Sequence, residues 1–252
     1  MTLFLHQLRS EQLLFWRNRE AAVFVFVFPP MLYLLLGAVY DGDIDVGSRS
    51  FPASDVLLAG LIGYGCANTA FAGLAITLVL RRENGVLKRL RGTPLPAPTY
   101  LAAVVASILV VFVLQMLVTV ALGVGLYGAQ GPERWGQLAL GVPIGVAGFA
   151  GLGFGIASLI RSAEGASAVV NLAVLPMAFL SGSFGPTRDY PDVLQAIADV
   201  LPLTYFNDLL ERAYLRDESI WGDPGAIAVV LAWGVAGLVV AWRRFSWQPR
   251  ER

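Results

Sequence analysis

Residues Val56–Leu80 read VLLAGLIGYGCANTAFAGLAITLVL, 25 consecutive positions without an Asp, Glu, Lys or Arg. As an α-helix that run extends about 37 Å at 1.5 Å per residue, more than the ~30 Å hydrocarbon core of a bilayer. Five more uncharged apolar runs repeat the signal: Ala21–Tyr40, Tyr100–Tyr127, Leu138–Ile160, Ala166–Phe184 and Ala226–Trp242. All 36 charged residues lie outside the six runs, as expected when a charge at the centre of a helix costs about 2.5 kcal/mol or more. The sequence predicts an all-α integral membrane protein of six transmembrane helices. A hydrophobic content of 56% over 252 residues is too high for an ordinary soluble domain, so residues 1–252 read as a single transmembrane domain.

The net charge is zero, yet its distribution is polarised. The N-terminal segment, the second and fourth loops and the tail together hold 13 basic and five acidic residues; the first, third and fifth loops hold five basic and 13 acidic ones. The Lys/Arg excess places the first set, and with it both termini, in the cytoplasm. No basic patch exists outside that pattern, so the charges read as topology signals and lipid contacts, and no nucleic-acid partner is expected. The one cysteine, Cys66, falls inside the second run and reads as a small packing residue. About twenty mixed residues precede the first run and no A-x-A site follows it, so a cleavable signal peptide is not expected.

Between the runs the pattern is equally informative. In residues 1–20, Phe4, Leu5, Leu8, Phe15 and Trp16 share one side of a helical wheel, interrupted by Gln12 and Arg19; this predicts an amphipathic helix on the inner membrane surface, or else a lead-in to the first span. Pro29 and Pro30 should bend or break that span. Gly141/Gly145 and Gly151/Gly155 form two G-x-x-x-G pairs, and Ala228, Ala232 and Ala236 a small-residue stripe in the last span; intrachain helix packing is the expectation for both. In region 185–225, Asp192 is placed to cap a short helix whose Val193, Leu194, Ile197 and Leu201 share a face, ended by Pro202. A second short helix sets Phe206, Leu209, Leu210, Ala213 and Tyr214 against Asn207, Asp208, Glu211 and Arg212. Neither can cross a bilayer, so they read as re-entrant or interfacial outer helices, or as helical turns in a solvated loop.

Residues 81–99 open as RRENGVLKRLRGTPLPAP from Arg81 to Pro98. Val86, Leu87 and Leu90 can share one side of a short helix while Lys88, Arg89 and Arg91 stay polar, and three alternate prolines stiffen the return. The result is a rigid, charged protrusion.

On these residues the chain resembles the membrane subunits of ABC-2 type transporters. The resemblance rests on Arg82-Glu83-x-Gly85-x-Leu87-Lys88-x-Leu90-x-x-Thr93-Pro94 after the second span, then Leu180-Ser181-Gly182-x-Phe184-x-Pro186, Tyr190-Pro191 and Pro202-Leu203-Thr204-Tyr205. Each motif is loose alone; their order and placement carry the likeness over nearly the whole chain. It implies a type V exporter-like fold, with residues 1–20 as a connecting helix and short outer re-entrant helices between spans five and six that include Pro186, Tyr190, Pro191, Pro202 and Tyr205. It further implies that the loop is a coupling helix seated in a cytoplasmic ABC ATPase, with two ATPase copies binding ATP and Mg. Glu83 would be the specific contact or brace the turn, Leu87 and Leu90 form the knob, and Lys88, Arg89 and Arg91 the rim. The other reading of Glu83 is an intrahelical pair with Lys88 or Arg82, worth a few tenths of a kcal/mol. A second permease chain, identical or a paralogue, would complete a pathway lined by Asn68, Phe71, Asn171, Leu175, Met177 and Phe179, or these residues serve packing. The implied role is export of an amphipathic drug-like, lipid or glycolipid molecule across a prokaryotic plasma membrane.

The residues themselves exclude several chemistries. There is no G-x-x-x-x-G-K-[ST] phosphate loop, and the only lysine is Lys88. The only histidine is His6, so neither a His-dependent triad nor a two-His metal site can be assembled. Serine or carboxylate chemistry is not excluded by composition, but no recognised constellation supports it, and no catalytic residue, metal site or cofactor is expected in this chain. An ion-coupled secondary transporter would ordinarily place ionisable groups within its spans. A polytopic enzyme acting on lipids would need clustered acids, for which Asp189, Asp192, Asp208 and Glu211 are the candidates. A noncatalytic assembly subunit also fits the sequence.

Overall fold

The computed structural model describes residues 2–40, 42–46, 49–132, 134–188 and 190–247; Asp189 lies outside the described residues. Helix α1 (Thr2–Arg17) stops at Asn18, whose side chain accepts the Ala21 N–H and starts α2 (Arg19–Gly37). Pro29 and Pro30 are buried inside α2, which runs through them. Of the expected bend or break, the break does not occur: α2 continues through both prolines, with Phe28 packed against Tyr64 beside them.

A hairpin that the hydropathy pattern did not announce follows: β1 (Asp43–Val46) pairs antiparallel with β2 (Arg49–Pro52), Ile44 opposite Phe51. Ile44 is buried against Ala53 and Val56. The second span is a 31-residue helical rod, Ala53–Glu83, built of α3 (Ala53–Cys66), a π-helical stretch Ala67–Gly73 and α4 (Leu74–Glu83). Then come α5 (Val86–Arg91), α6 (Ala97–Tyr127), α7 (Trp135–Leu159), α8 (Ala163–Leu180), α9 (Asp192–Ala198), α10 (Pro202–Tyr214), a 3₁₀ turn Ile220–Gly222 and α11 (Pro224–Arg244). Among the described residues, six helices are long and apolar enough to cross a membrane: α2, α3–α4, α6, α7, α8 and α11.

The α3–α4 rod is the axis of the bundle, buried almost continuously from Val56 to Ala72. The most extensive helix pair is α7 with α11. A Cβ on Gly155 would lie 2.8 Å from Gly237 Cα, and one on Gly234 2.8 Å from Gly148 Cα, so bare backbone on both helices is what permits this approach. The expected small faces are thus half right. Gly151 and Gly155 meet α11, but Gly145 lies against the Phe206 ring of α10 and Gly141 beside Ile220. The Ala228, Ala232 and Ala236 stripe faces outward, because the buried side of α11 is the one carrying Val230, Gly234, Gly237 and Ala241.

Two expectations for the short helices are also corrected. Asp192 does not cap α9: Pro191 holds the cap position without a side-chain bond, and Asp192 is the first helical residue. Val193 and Ile197 are exposed. In α10 the expected face is the buried one, Phe206, Leu209, Leu210, Ala213 and Tyr214, and it packs on α3, α7 and α11. Its Phe206 ring meets Gly145, ten residues into α7. In α1 the inward side is polar: Glu11 is buried, while Leu3, Leu5, Leu13, Leu14 and Trp16 are exposed. A helix shared between lipid and protein turns its apolar side to lipid and its polar side to partners.

Candidate functional site

The loop after the second span is built on two consecutive arginines. Successive helical residues point about 100° apart, and here they grip different neighbours. Arg81 donates to both carboxylate oxygens of Glu11, at 2.7 and 3.0 Å, and to the Tyr100 hydroxyl at 2.8 Å. The pair is largely buried, Glu11 at 5% and Arg81 at 16% exposure, and it ties α4 to α1 and α6. Gln12 extends the seam by donating to the Ser107 carbonyl and hydroxyl at 3.0 and 2.9 Å. Arg82, 1% exposed, donates to the Ala157 carbonyl at 3.0 Å and the Ile160 carbonyl at 2.5 Å. These belong to the last turn of α7, where unsatisfied carbonyls and the helix dipole favour a cation.

Beyond them Gly85, at φ +68°, turns the chain into α5; the left-handed region is open to glycine at little cost. Leu87 is fully buried and Leu90 half-buried against the main core, so these two seat α5 on its own chain. The outward surface consists of Val86, Lys88, Arg89 and Arg91. Glu83 is half-buried and has no ion-pair partner among the described residues, so the alternative pair with Lys88 or Arg82 is not formed. Thr93 closes the loop through the Leu90 carbonyl at 2.6 Å, and Pro96 and Pro98 begin α6.

The pathway candidates divide. Asn68 and Phe71 lie in the π-helical stretch and are buried, as is Met177. Asn171, Leu175 and Phe179 are exposed on α8 at helical spacing, with Leu172 beside them. The first three candidates are thus interior, and Asn171, Leu175 and Phe179 face outward. The π-stretch also carries Thr69, whose hydroxyl donates to Gln115 Oε1 of α6 at 3.0 Å in a buried setting. Gln115 was not singled out from sequence; a lone amide in an otherwise aliphatic run was the available signal. π-Helical turns inside α-helices frequently mark functional positions.

At the other end of the bundle, Tyr190 donates to the Phe179 carbonyl at 3.2 Å and Tyr205 to the Asp199 carbonyl at 2.6 Å, while Pro191 and Pro202 start α9 and α10. Pro186 is exposed. The Asn207 amide donates to the Ser181 carbonyl at 2.8 Å and the Ser183 hydroxyl at 3.0 Å, holding α10 under the turn that follows α8. The acids here are engaged: Asp208 with Arg212 and Arg216, Glu211 with Arg216. Desolvation pushes the Glu211 carboxyl up to about 7, with Arg216 opposing and Asp208 adding to the rise. Asp217 is held below the usual carboxylate range by its hydrogen bond to Arg134. Among the described residues no three His, Cys, Asp or Glu side chains converge as a metal site would require.

The family model of the ABC-2 type transporter matches residues 2–215. The chain is 27% identical over 176 residues to a protein of Escherichia coli K12 named as a probable multidrug ABC transporter permease, YbhR, covering 68% of this chain and 47% of that one. It is 26% identical over 191 residues to a Bacillus subtilis (strain 168) protein named as a transport permease, YvfS, covering 75% of this chain and 76% of that one. It is also 27% identical over 172 residues to the E. coli K12 inner membrane transport permease YhhJ, covering 67% and 45%. The chain thus spans about half the length of the E. coli relatives it matches.

Proposed function

The chain belongs to the ABC-2 type transporter family, and from that premise we propose that it is the membrane-spanning permease subunit of an ATP-driven exporter in a prokaryotic inner membrane. The energy source is a separate cytoplasmic ABC ATPase, two copies of which bind ATP and Mg, since this chain carries no phosphate loop. Both termini and the α4–α5 loop face that ATPase, in keeping with the basic bias of this side. The cargo is an amphipathic drug-like, lipid or glycolipid molecule. A second permease chain covers the exposed face of α8, where Leu172 and Phe179 leave a large apolar surface, and the pathway runs between the two copies.

The observation that carries this reading is the clamped loop. A connector needs no anchors, whereas α5 is seated by Leu87, hinged at Gly85 and tied through Arg81 and Arg82 to α1, α6 and α7, leaving Lys88, Arg89 and Arg91 outward. Glu83, without an ion-pair partner among the described residues, stands where an ATPase contact would take it. Glu83→Ala should lower both transport and permease-stimulated ATP hydrolysis in reconstituted vesicles while insertion and thermal stability hold. Undiminished transport would remove the coupling role.

A further inference from the structure

Between α1, α2, α4 and α6 lies a cavity of about 390 Å³ that the coupling loop does not account for. It follows the second span from Thr69 and Gly73 in the π-helical stretch to Arg81 and Asn84 at the end of α4, about 22 Å of helix at 1.5 Å per residue. Its walls are mostly apolar over that length, with Phe15, Val25, Leu74, Val104, Ile108 and Val111 among them, and Thr69, Thr77 and Ser107 as scattered hydroxyls. Gly73 makes room for it. A Cβ there would have only the Asn68 carbonyl within reach, at 3.5 Å, and its φ is ordinary, so neither backbone geometry nor close packing demands a glycine. The missing side chain is open space inside the groove.

The loop-side end is different. Glu11, Asn18, Arg81 and Asn84 gather there. Arg81 has five N–H donors, of which three go to Glu11 and Tyr100; the Nε–H and one Nη2–H have no acceptor among the described residues. Leu14 and Leu80 line the same cavity and are exposed, so the opening is flanked by side chains that face lipid.

We propose that this groove is a binding site for a bilayer phospholipid, one acyl chain lying along α4 and the phosphate taking the remaining Arg81 donors. The match is in shape and polarity: a volume within the range of small-molecule sites, mostly greasy along its length, with charge-assisted donors, beside the Glu11 carboxylate that Arg81 already pairs with, only at the end where a headgroup sits. A water-filled channel would want more polar partners along the wall than the hydroxyls of Thr69, Thr77 and Ser107. The lipid would wedge α1 and α2 against α4 and so set how firmly the connecting helix grips the loop.

The experiment is titration of the delipidated full-length protein, in detergent, with a phosphatidylcholine and with a diacylglycerol of the same chains, read by native mass spectrometry. One phosphatidylcholine should bind saturably per chain, with diacylglycerol at least about tenfold weaker. Gly73→Leu should weaken phosphatidylcholine at least about tenfold, as should Ile108→Trp from the opposite wall, should the first variant fail to fold. Gly125→Leu, at a glycine with nothing within 4 Å of an added Cβ, should bind as the parent does. Equal binding in a folded groove-filling variant, or equal affinity for phosphatidylcholine and diacylglycerol, would overturn the assignment.

Discussion

Truncating Glu11 to Ala isolates the clamp between the N-terminal helix and the loop. In the intact protein its carboxylate takes two N–H bonds from Arg81, at 3.0 and 2.7 Å, in a setting where Glu11 is 5% and Arg81 16% exposed. Glu11→Ala leaves the guanidinium with the Tyr100 hydroxyl and no counter-charge. Removing one partner of a buried ion pair costs about 3–5 kcal/mol; Arg81 lies at the end of the rod and reaches solvent in part, which favours about 3 kcal/mol. That shifts the docking of α1 by roughly 150-fold. Hydrogen exchange of the α1 amides reads it directly, because the helix opens by itself while the bundle stays closed. A double-mutant cycle with Arg81→Met then separates the pair from each residue's other contacts. Coupling below about 0.5 kcal/mol, the value of an exposed pair, would refute the reasoning and leave α1 held by its packing on α6 and the Gln12–Ser107 bonds.

Gly85→Ala should cost about 1–2 kcal/mol, since an L-residue pays that at φ +68°, whereas Gly85→Asn should cost less; thermal unfolding and stimulated ATP hydrolysis check the pair together. Gly151→Leu should splay α7 from α11, because a Cβ there would already lie 2.8 Å from Gly234 Cα, with a loss of about 3 kcal/mol or failure to fold; near-normal stability would show that the two helices are not locked. The Glu211 carboxyl titrates near 7 in the folded chain against about 4.5 when free, so the folded state binds its proton more tightly. Its contribution is fully present below about 4.5 and is lost as pH rises to about 7. Exchange of α10 amides should therefore quicken from pH 5 to 7.5 beyond the intrinsic rate, and Glu211→Gln should remove that excess.

The six spans were legible because charge exclusion from a bilayer is a rule of composition, visible in any window of about twenty residues. The α10 face was legible for a related reason: Phe206, Leu209, Leu210 and Ala213 keep helical spacing. What was hidden depends on partners far apart in sequence. Glu11 and Arg81 are separated by 70 positions, so no window holds both. The lone acid on the inward side of α1 had meaning only once α4 and α6 were beside it. The Ala stripe of α11 misled for the opposite reason, since small residues advertise close packing on either side of a helix and only α7 selects the Gly234/Gly237 side. The π-helical stretch left no trace in hydropathy, because a one-residue change of pitch does not alter composition.

The two arginines divide the bundle mechanically. Through Arg82 the loop grips the last turn of α7, α7 is locked to α11 by facing glycines, and α10 packs on α3, α7 and α11. Through Arg81 the same loop grips α1, which packs on α6. Under the proposed coupling role, a displacement entering at α5 would act on α7 and on α1 together, and the rod that joins them leaves regular α-helical pitch at Ala67–Gly73. That stretch holds the buried Thr69–Gln115 bond to α6 and the Asn68 and Phe71 side chains. Helix α8 contacts α4 and the π-stretch but leaves its Asn171, Leu172, Leu175 and Phe179 face uncovered. The π-stretch also packs on α7, where a Cβ on Gly153 would lie 3.0 Å from the Ala70 and Phe71 carbonyl oxygens, so a change of pitch in the rod would reach both α8 and the glycine-locked pair. The ends of that route were written in the sequence as motifs; the joint between them was not.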